Sequence, residues 1–308
     1  MYYVEEMTQN AIAETLGIGR ITVVRLLADS RALHEVKISL SRSVADLPRL
    51  ERGLEKAYGL KEAVVAPLSA EDADPTAAIG AATGQFISDF VKPNMRLGVG
   101  WGRTLLNTLD FVDEKPVPGL AIVSMLGGIS AVRQYNPAEF AWQFSRLFQA
   151  DCYLIAAPAL VDSLETKRAL IERCGIGPVF EMANALDAVL FSVGGISRSS
   201  TSYLFGYFSE EDRRSLIESG AAGDLLYSFY DSAGRMIDHP LNERVMGVGI
   251  DQIRGTPHRI LTSGGAEKVD AMRAAILMVQ PTVLITDEVT AAELLRLDES
   301  HSADVPTD

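Results

Sequence analysis

The 308-residue sequence predicts a small N-terminal helix-turn-helix domain followed by a larger, Rossmann-like α/β domain. Two short helical patterns flank a glycine turn near the amino terminus. Over the rest of the chain, apolar strand-length segments alternate with helical segments, and several of these strands run into glycine-rich turns. A polar segment ending at Pro48 is typical of a linker, so we expect domains at residues 1–48 and 49–308.

The helix-turn-helix prediction depends on residues 8–27, TQNAIAETLGIGRITVVRLL. Thr8 can cap a first helix, and Gly17 supplies the positive φ that ends it. Arg20 opens a second helix, the one that enters the DNA major groove in such domains. The expected apolar anchors are Ile12, Leu16, Val23 and Leu26.

The residues of the second helix that lie off this apolar stripe are the candidate DNA contacts. They are Arg20, Ile21, Thr22, Val24 and Arg25. The alternative interpretation of the same pattern is an ordinary helical hairpin. A strand at residues 36–40 would be the wing of a DNA-binding domain.

The charge distribution bears on DNA binding. The net charge of −13 is unusual for a protein that neutralises phosphates, but residues 1–45 hold five basic and five acidic residues. The excess negative charge therefore lies entirely after residue 45. A neutral head binds double-stranded operator DNA weakly as a single copy, so we expect a homodimer or homotetramer.

Composition restricts the class of protein further. A hydrophobic content of 47% with 22% charged residues is typical of a globular chain. No apolar run is long enough to cross a membrane, and Cys152 and Cys174 fit reduced thiols, so we expect a cytoplasmic protein without a membrane partner. The four histidines lack metal-ligand spacing, which predicts no metal site and places each histidine at the surface or in a loop.

The α/β pattern can be followed through the large domain. Strands are predicted at residues 63–66, 97–100, 120–125, 153–157, 188–193, 260–262 and 282–286, with a hairpin of 225–230 and 235–238 turning at 232–234. Helices are predicted at residues 50–60 and 163–173, and two more begin at residues 74 and 136. Another helix ends at residue 276, and the last ends at about residue 297. The helix that begins at residue 74 is expected to face inward with Ile79, Ala82, Phe86 and Phe90. The acidic tail, residues 298–308, is expected to be disordered.

Four predicted strands end in turns of small residues, at 100–104, 127–130, 194–200 and 263–268. In open α/β sheets ligands bind outside the carboxyl ends of the strands. Arg103 with Thr104, and Lys268 after Gly264-Gly265, add the groups that bind an anion, which predicts a small anionic ligand such as a phosphorylated sugar. The alternative is that these turns use glycine whatever they bind. The spacing in GVGWG is not that of a dinucleotide-binding loop, so no cofactor is expected.

The chain resembles the SorC family of bacterial sugar-responsive transcriptional regulators. The resemblance runs through YYVEEMTQNAIAETLGIGRITVVRLLADSRA, GVGWGRTL, SMLGGIS, GAAGDLLYSFYDSAGR, SGGAEKVDAMRAAI and VLITDEVTAAELL. It implies a regulator of carbohydrate catabolism whose effector domain is of the sugar-phosphate-isomerase type. The effector contacts implied by the resemblance and by the glycine turns are Gly102, Arg103, Thr104, Gly127, Gly128, Gly264, Gly265 and Lys268.

Two alternative hypotheses about the function remain. One is a sugar-phosphate isomerase or transferase with an appended helix pair. Asp187 and Asp251 are the acidic residues considered for acid–base chemistry, but neither forms a convincing pair beside the glycine turns, so no catalytic residue is assigned. The other is a small-molecule sensor that has lost DNA binding.

Overall fold

The computed structural model describes residues 1–2, 7–32, 46–70, 73–129, 136–204 and 208–303. The chain forms two compact units, residues 1–41 and 42–308. The predicted wing at residues 36–40 lies outside the described residues.

The helices and strands are numbered separately in chain order. The α-helices are α1 Gln9–Leu16, α2 Arg20–Ala32, α3 Leu47–Tyr58, α4 Thr76–Phe90, α5 Arg103–Thr108, α6 Pro137–Leu147, α7 Leu164–Arg173, α8 Gly177–Ala183, α9 Thr201–Leu204, α10 Glu210–Glu218, α11 Pro240–Glu243, α12 Ile250–Gly255, α13 Val269–Val279 and α14 Glu288–Ala303. Short 3-10 turns lie at Leu109–Phe111 and Ala266–Lys268. The strands are β1 Glu62–Ala66, β2 Arg96–Val99, β3 Ala121–Ser124, β4 Asp151–Tyr153, β5 Ala188–Phe191, β6 Gly223–Leu225, β7 Ser228–Tyr230, β8 His258–Thr262 and β9 Val283–Asp287.

In the first unit, α1 begins and ends as predicted, and α2 begins at Arg20 as predicted but continues to Ala32, beyond the predicted stretch at residues 8–27. The Thr8 hydroxyl accepts a hydrogen bond from the Ala11 amide at 3.2 Å, and Gly17 takes φ +66° in the turn. The small core consists of Ile12, Ala13 and Val23, with Met7, Ile18 and Leu27 packed against it. Two predicted anchors were wrong, because Leu16 and Leu26 are each 51% exposed. In α2 it is Leu27, one position further along the helix, that faces this core.

The second unit is built on a seven-stranded sheet of order β1-β9-β8-β5-β2-β3-β4, and every pairing in it is parallel. This confirms the predicted α/β fold. From β2 the chain adds β3 and β4 on one side, and then returns to place β5, β8 and β9 on the other. The strand order therefore reverses between β2 and β5, which is where open parallel sheets bind their ligands.

Both faces of the sheet are covered, as a parallel sheet requires. On one face α4 and α6 contribute Ile79, Ile87, Phe140 and Phe144, all at most 3% exposed. The opposite face carries the larger core, to which α3, α10, α13 and α14 contribute Leu54, Leu216, Met272 and Leu294. Among the described helices, none combines the length and apolar character needed to span a bilayer.

The prediction of which side of α4 faces the core was partly wrong. Thr83 and Ile87 are fully buried, whereas Phe86 and Phe90 are only half-buried. The reason is a close helix contact. An alanine Cβ at Gly84 would lie 2.6 Å from the Cβ of Phe111, so the small residues of α4, not its phenylalanines, face the neighbouring segment.

The predicted hairpin was misplaced. β6 and β7 pair across a turn at Leu226 and Tyr227, which take φ of +52° and +62°. At the predicted position the structure has one isolated bridge, Tyr230 to Met236, beside the Asp231 turn. Two apolar residues at positive φ give no turn signal in a sequence, because glycine and asparagine are the usual occupants.

Other boundaries also needed correction. Pro48 lies in the first turn of α3 instead of ending a linker, and the predicted strand at 153–157 is replaced by β4, two residues earlier. The tail predicted to be disordered is helical as far as Ala303. His239 lies in the loop before α11, in agreement with the expectation of a surface or loop position, but its side chain is buried. It is 7% exposed, and its Nδ1 caps α11 by accepting from the Leu241 amide.

Candidate functional site

Two neighbouring cavities open at the carboxyl ends of β2, β5 and β8, and we call them together the cleft. Both cavities are bordered by Arg103, Glu267 and Lys268. The serine cavity is further lined by Trp101, Gly102, Thr104, Ser192, Val193, Gly194, Gly195, Ser197, Ser199, Ser200, Thr201, Ser202, Asp224 and Leu226. The acidic cavity is further lined by Leu68, Ala73, Asp74, Pro75, Thr76, Gly264, Gly265, Ala266, Asp287 and Val289.

The turn after β2 places three predicted contacts in the cleft. Gly102 takes φ +124°, which a residue with a side chain rarely adopts, and it directly precedes α5. Arg103 and Thr104 are the first two residues of that helix, and Thr104 is 3% exposed. The backbone of this turn therefore presents a guanidinium and a hydroxyl at the point where the strand order reverses.

The turn after β8 is fixed by the adjacent strand end. The Gly265 amide donates to the Asp287 carboxylate at 3.2 Å and to the Thr290 hydroxyl at 2.9 Å. A Cβ on Gly264 would collide with the Asp287 carboxylate. These contacts hold the Gly264-Gly265 turn against β9 and leave Lys268, three residues further, at the border between the two cavities.

Two cationic side chains, Arg103 and Lys268, and the carboxylate of Glu267 border both cavities of the cleft. Nε of Arg103 is buried and has no hydrogen-bond partner among the residues that the structure describes. Burial lowers the pKa of Lys268, which means that the ammonium is incompletely solvated. The pKa of Asp74 is lowered mainly by its hydrogen bonds with Thr76, and further by the charges of Arg103 and Lys268. A buried guanidinium nitrogen without a partner and a desolvated ammonium form a site suited to an anion.

The serine cavity holds one carboxyl group that the sequence reading missed. Asp224 is 3% exposed, and its two oxygens accept from the Ser202 hydroxyl at 2.7 Å and the Tyr227 amide at 3.1 Å. Burial raises the pKa of Asp224 to about 6. The acidic residues considered from sequence lie elsewhere. Asp187 accepts from the Arg96 amide at the amino end of β2, and Asp251 borders a separate groove near α12.

The predicted effector residues divide into two groups. Six of them border the cleft, namely Gly102, Arg103, Thr104, Gly264, Gly265 and Lys268. Gly127 and Gly128 border neither cavity, and their amides donate to the carbonyls of Met246 and Ala157 at 2.8 Å. The strand order explains this difference, because β3 lies beyond β2 on the side away from β5 and β8.

The candidate DNA contacts lie on the outer side of α2 in the first unit. Arg20, Ile21, Val24 and Arg25 are exposed, and Thr22 is half-buried. The side chain between them, Val23, is 3% exposed and faces the core of that unit. Within the described residues, no group of three or more histidine, cysteine or carboxylate side chains is arranged to hold a metal ion.

Comparison with known proteins decides the family. Sugar-bind, a family of sugar-binding domains, matches residues 42–296. The deoxyribonucleoside regulator of Bacillus subtilis (strain 168) is 32% identical over 298 residues, covering 96% of this chain and 95% of its own. This chain belongs to the SorC family of sugar-binding transcriptional regulators.

Other relatives of this SorC-family chain agree in name and fold. The full-length sorbitol operon regulator SorC from Klebsiella pneumoniae matches with a TM-score of 0.74 and 26% identity, covering 96% of both chains. The erythritol catabolism regulatory protein EryD of Brucella abortus (strain 2308) is 26% identical over 297 residues, covering 96% of this chain and 94% of its own. The resemblance seen in the sequence is thereby confirmed, and the chain is a transcriptional regulator with a sugar-binding domain.

Proposed function

We propose that this SorC-family regulator binds a phosphorylated sugar in the cleft and that binding changes its affinity for operator DNA. The observation that carries the proposal is that two cations, Arg103 and Lys268, border both cavities, with Glu267 beside Lys268; we call this pair of cations the cationic border. Arg103 has a buried nitrogen with no partner among the described residues, and burial lowers the pKa of the half-buried Lys268. A phosphate would supply the missing acceptor for Arg103, while the Thr104 hydroxyl would donate to one of its remaining oxygens.

The serine cavity supports the sugar half of the proposal. Four residues with hydroxyl groups, Ser197, Ser199, Ser200 and Thr201, are among its lining. Hydroxyls both donate and accept hydrogen bonds, so such a lining fits a polyhydroxylated chain or ring better than an apolar ligand. The phosphate would lie at the cationic border and the carbon chain would extend towards the serines.

The first unit, residues 1–41, would form the DNA-binding domain and the second, residues 42–308, the effector-binding domain; a boundary at residue 48, as proposed from the sequence, would divide α3. Arg20 and Arg25 are exposed on α2 and would contact the duplex. Two positive side chains on one helix provide few phosphate contacts, so we propose a homodimer or homotetramer that binds two half-sites. A bacterial regulator of this kind would act in the cytoplasm.

We also propose that the domain binds its effector without converting it. Two carboxyl groups line the serine cavity, Asp224 and Glu267; both oxygens of the buried one, Asp224, already accept hydrogen bonds from the protein, which leaves Glu267 as the carboxylate that a catalytic alternative would have to use. The isomerase alternative requires an acid or base with a free oxygen on the substrate. The effector should be recovered unchanged, as followed by nuclear magnetic resonance after incubation in D₂O.

The test is a thermal-shift screen of the full-length protein. Pentose and hexose phosphates are compared with the same free sugars, with polyols and with inorganic phosphate. A ligand at ~100 times its dissociation constant adds about 2.7 kcal/mol of stability, which raises the melting temperature measurably. Lys268→Ala should weaken binding of the phosphorylated ligand by about tenfold to hundredfold, because a hydrogen bond to a charged group is lost.

Lys61→Ala is the matched control. Lys61 is exposed and precedes β1 at the amino end of the sheet, far from the strand ends that form the cleft. It should respond to the ligand as the unmodified protein does. If free sugars or polyols stabilise the protein as strongly as their phosphates, the phosphate part of the proposal is wrong.

A further inference from the structure

The outer face of α2 has an apolar centre. Ile21 is 86% exposed and Val24 is 41% exposed. They are three positions apart, so their side chains are neighbours on the helix surface. Val23 and Leu27 face the core of the first unit. Neither Ile21 nor Val24 belongs to that core, and an isoleucine with 86% exposure gains nothing from burial within its own unit.

Positive charge brackets this apolar centre. Arg20 precedes Ile21, and Arg25 follows Val24; both arginines are exposed. The first acidic residue of α2 is Asp29, one turn beyond Arg25. An apolar strip flanked by guanidinium groups matches the major groove, in which phosphates line both edges and base edges form the floor.

We propose that Ile21 and Val24 contact the C5 methyl groups of thymines in the major groove. The inference rests on the DNA binding proposed above and specifies how bases are recognised. In helix-turn-helix domains the amino-terminal residues of the second helix contact base edges, and Ile21 is the second residue of α2. Thymine presents the only methyl group on the major-groove edge, so an aliphatic side chain distinguishes it from the other three bases.

The inference predicts the composition of the operator. Each half-site contains one or two thymines whose methyl groups are needed for affinity, and hydrogen-bond donors or acceptors at those positions add little. Arg20 and Arg25 supply the phosphate contacts, which are independent of sequence. Specificity and salt dependence therefore reside in different side chains of the same helix.

The experiment begins with a duplex chosen by the protein itself. Full-length protein is used to enrich binding sequences from a random-sequence duplex library, and the enriched duplex is labelled for fluorescence anisotropy. Each thymine is then replaced singly by deoxyuridine, which removes only the methyl group. Burial of one methylene is worth ~0.8 kcal/mol, so loss of a contacted methyl should weaken binding about fourfold at one or two positions per half-site.

Variants link the effect to the side chains. In Ile21→Ala the same deoxyuridine substitutions should change the affinity less than twofold, because the partner of the methyl group is already gone. Leu26→Ala is the matched control, since Leu26 is an aliphatic residue of α2, 51% exposed, outside the strip. It should retain the fourfold effect. Ile21→Ala should leave the slope of affinity against salt unchanged, whereas Arg25→Ala should reduce it by about 1.

Three results would overturn the inference, and they can be told apart. If no thymine position responds to deoxyuridine by more than twofold, DNA binding stands but methyl recognition is wrong. If Ile21→Ala lowers the oligomer mass measured by light scattering, the strip is a contact between copies of this chain. If no duplex is enriched, the proposed DNA binding fails together with this inference. Melting temperatures of the variants, matched to that of the unmodified protein, exclude unfolding as the cause.

Discussion

The buried carboxyl group of Asp224 should make the stability of the second unit depend on pH in a defined direction. Its pKa is raised from 3.8 to about 6, chiefly because burial disfavours the charged form. The folded protein therefore binds a proton more tightly than the unfolded chain does. Stability is highest when Asp224 is protonated in both states, falls as the pH rises from about 4 to about 6, and is then constant.

The size of the effect follows from the shift. A raise of about two pKa units at 1.36 kcal/mol per unit corresponds to ~3 kcal/mol of stability lost across this interval. Asp224→Asn cannot titrate, and its side chain can still accept the hydrogen bond from Ser202. The difference in unfolding free energy between Asp224→Asn and the unmodified protein should therefore shift by about 3 kcal/mol in favour of the variant between pH 4 and pH 7.

Because the difference in unfolding free energy between Asp224→Asn and the unmodified protein is measured, the contributions of the other titrating groups cancel. Thermal or urea unfolding of both proteins at half-unit pH intervals gives the curve. Asp231→Asn is a control of opposite sign, because hydrogen bonds from Arg235 lower the pKa of Asp231, and the stability it contributes is lost as the pH falls. A flat difference curve for Asp224→Asn between pH 4 and pH 7 would show that this carboxyl group is not desolvated as the structure indicates.

Two further substitutions test the turn after β8 and the first helix. Gly264→Ala should destabilise the protein by about 2 kcal/mol or more in thermal denaturation, because its Cβ would meet the Asp287 carboxylate. Gly255→Ala is the control: no atom lies within 4 Å of its Cβ position, so it should be neutral or stabilise the protein by ~0.4–1 kcal/mol. Equal effects of these two alanines would contradict the packing described. Thr8→Ala removes the hydroxyl that accepts from the Ala11 amide and should destabilise α1 by ~1 kcal/mol. The Ala11 amide should then exchange its hydrogen faster. An unchanged exchange rate would mean that the cap does not stabilise α1.

Much of the fold could be predicted because its signals are local. The β-branched and apolar strands, Thr8 as a cap and Gly17 at positive φ each express a preference of a few neighbouring residues. Where a distant contact decided the outcome, the sequence reading failed. The inward face of α4 depends on how closely Phe111 approaches Gly84, and no periodicity within α4 contains that information.

The candidate site also has a part that local sequence signals predicted and a part that depends on the strand order. Arg103 and Lys268 could be predicted because each follows a strand and stands beside turn glycines, a pattern that lies within a few residues. Gly127 and Gly128 show the same pattern but follow β3, and only the strand order reveals that β3 lies beyond the cleft. A glycine turn therefore predicts that a strand ends, and the topology determines whether that end can reach a ligand.

Two residues of the serine cavity, Asp224 and Ser202, have no signal in the sequence, whereas Ser197, Ser199 and Ser200 lie in the predicted turn at residues 194–200. Asp224 lies in β6, just before the Leu226-Tyr227 turn with its positive φ angles. The hydroxyl of Ser202, 22 residues earlier in the chain, donates to the Asp224 carboxylate. Neither belongs to a strand-to-helix glycine turn, so no anion-binding motif marks them. The proposed anion contacts lie in turns whose conformation the sheet enforces, while the proposed hydroxyl contacts lie in connecting segments, which tolerate substitution. Relatives that share the cationic border but differ in the serine segment would then bind different sugars with one phosphate site, which fits the range of sugars and polyols in the names of the relatives.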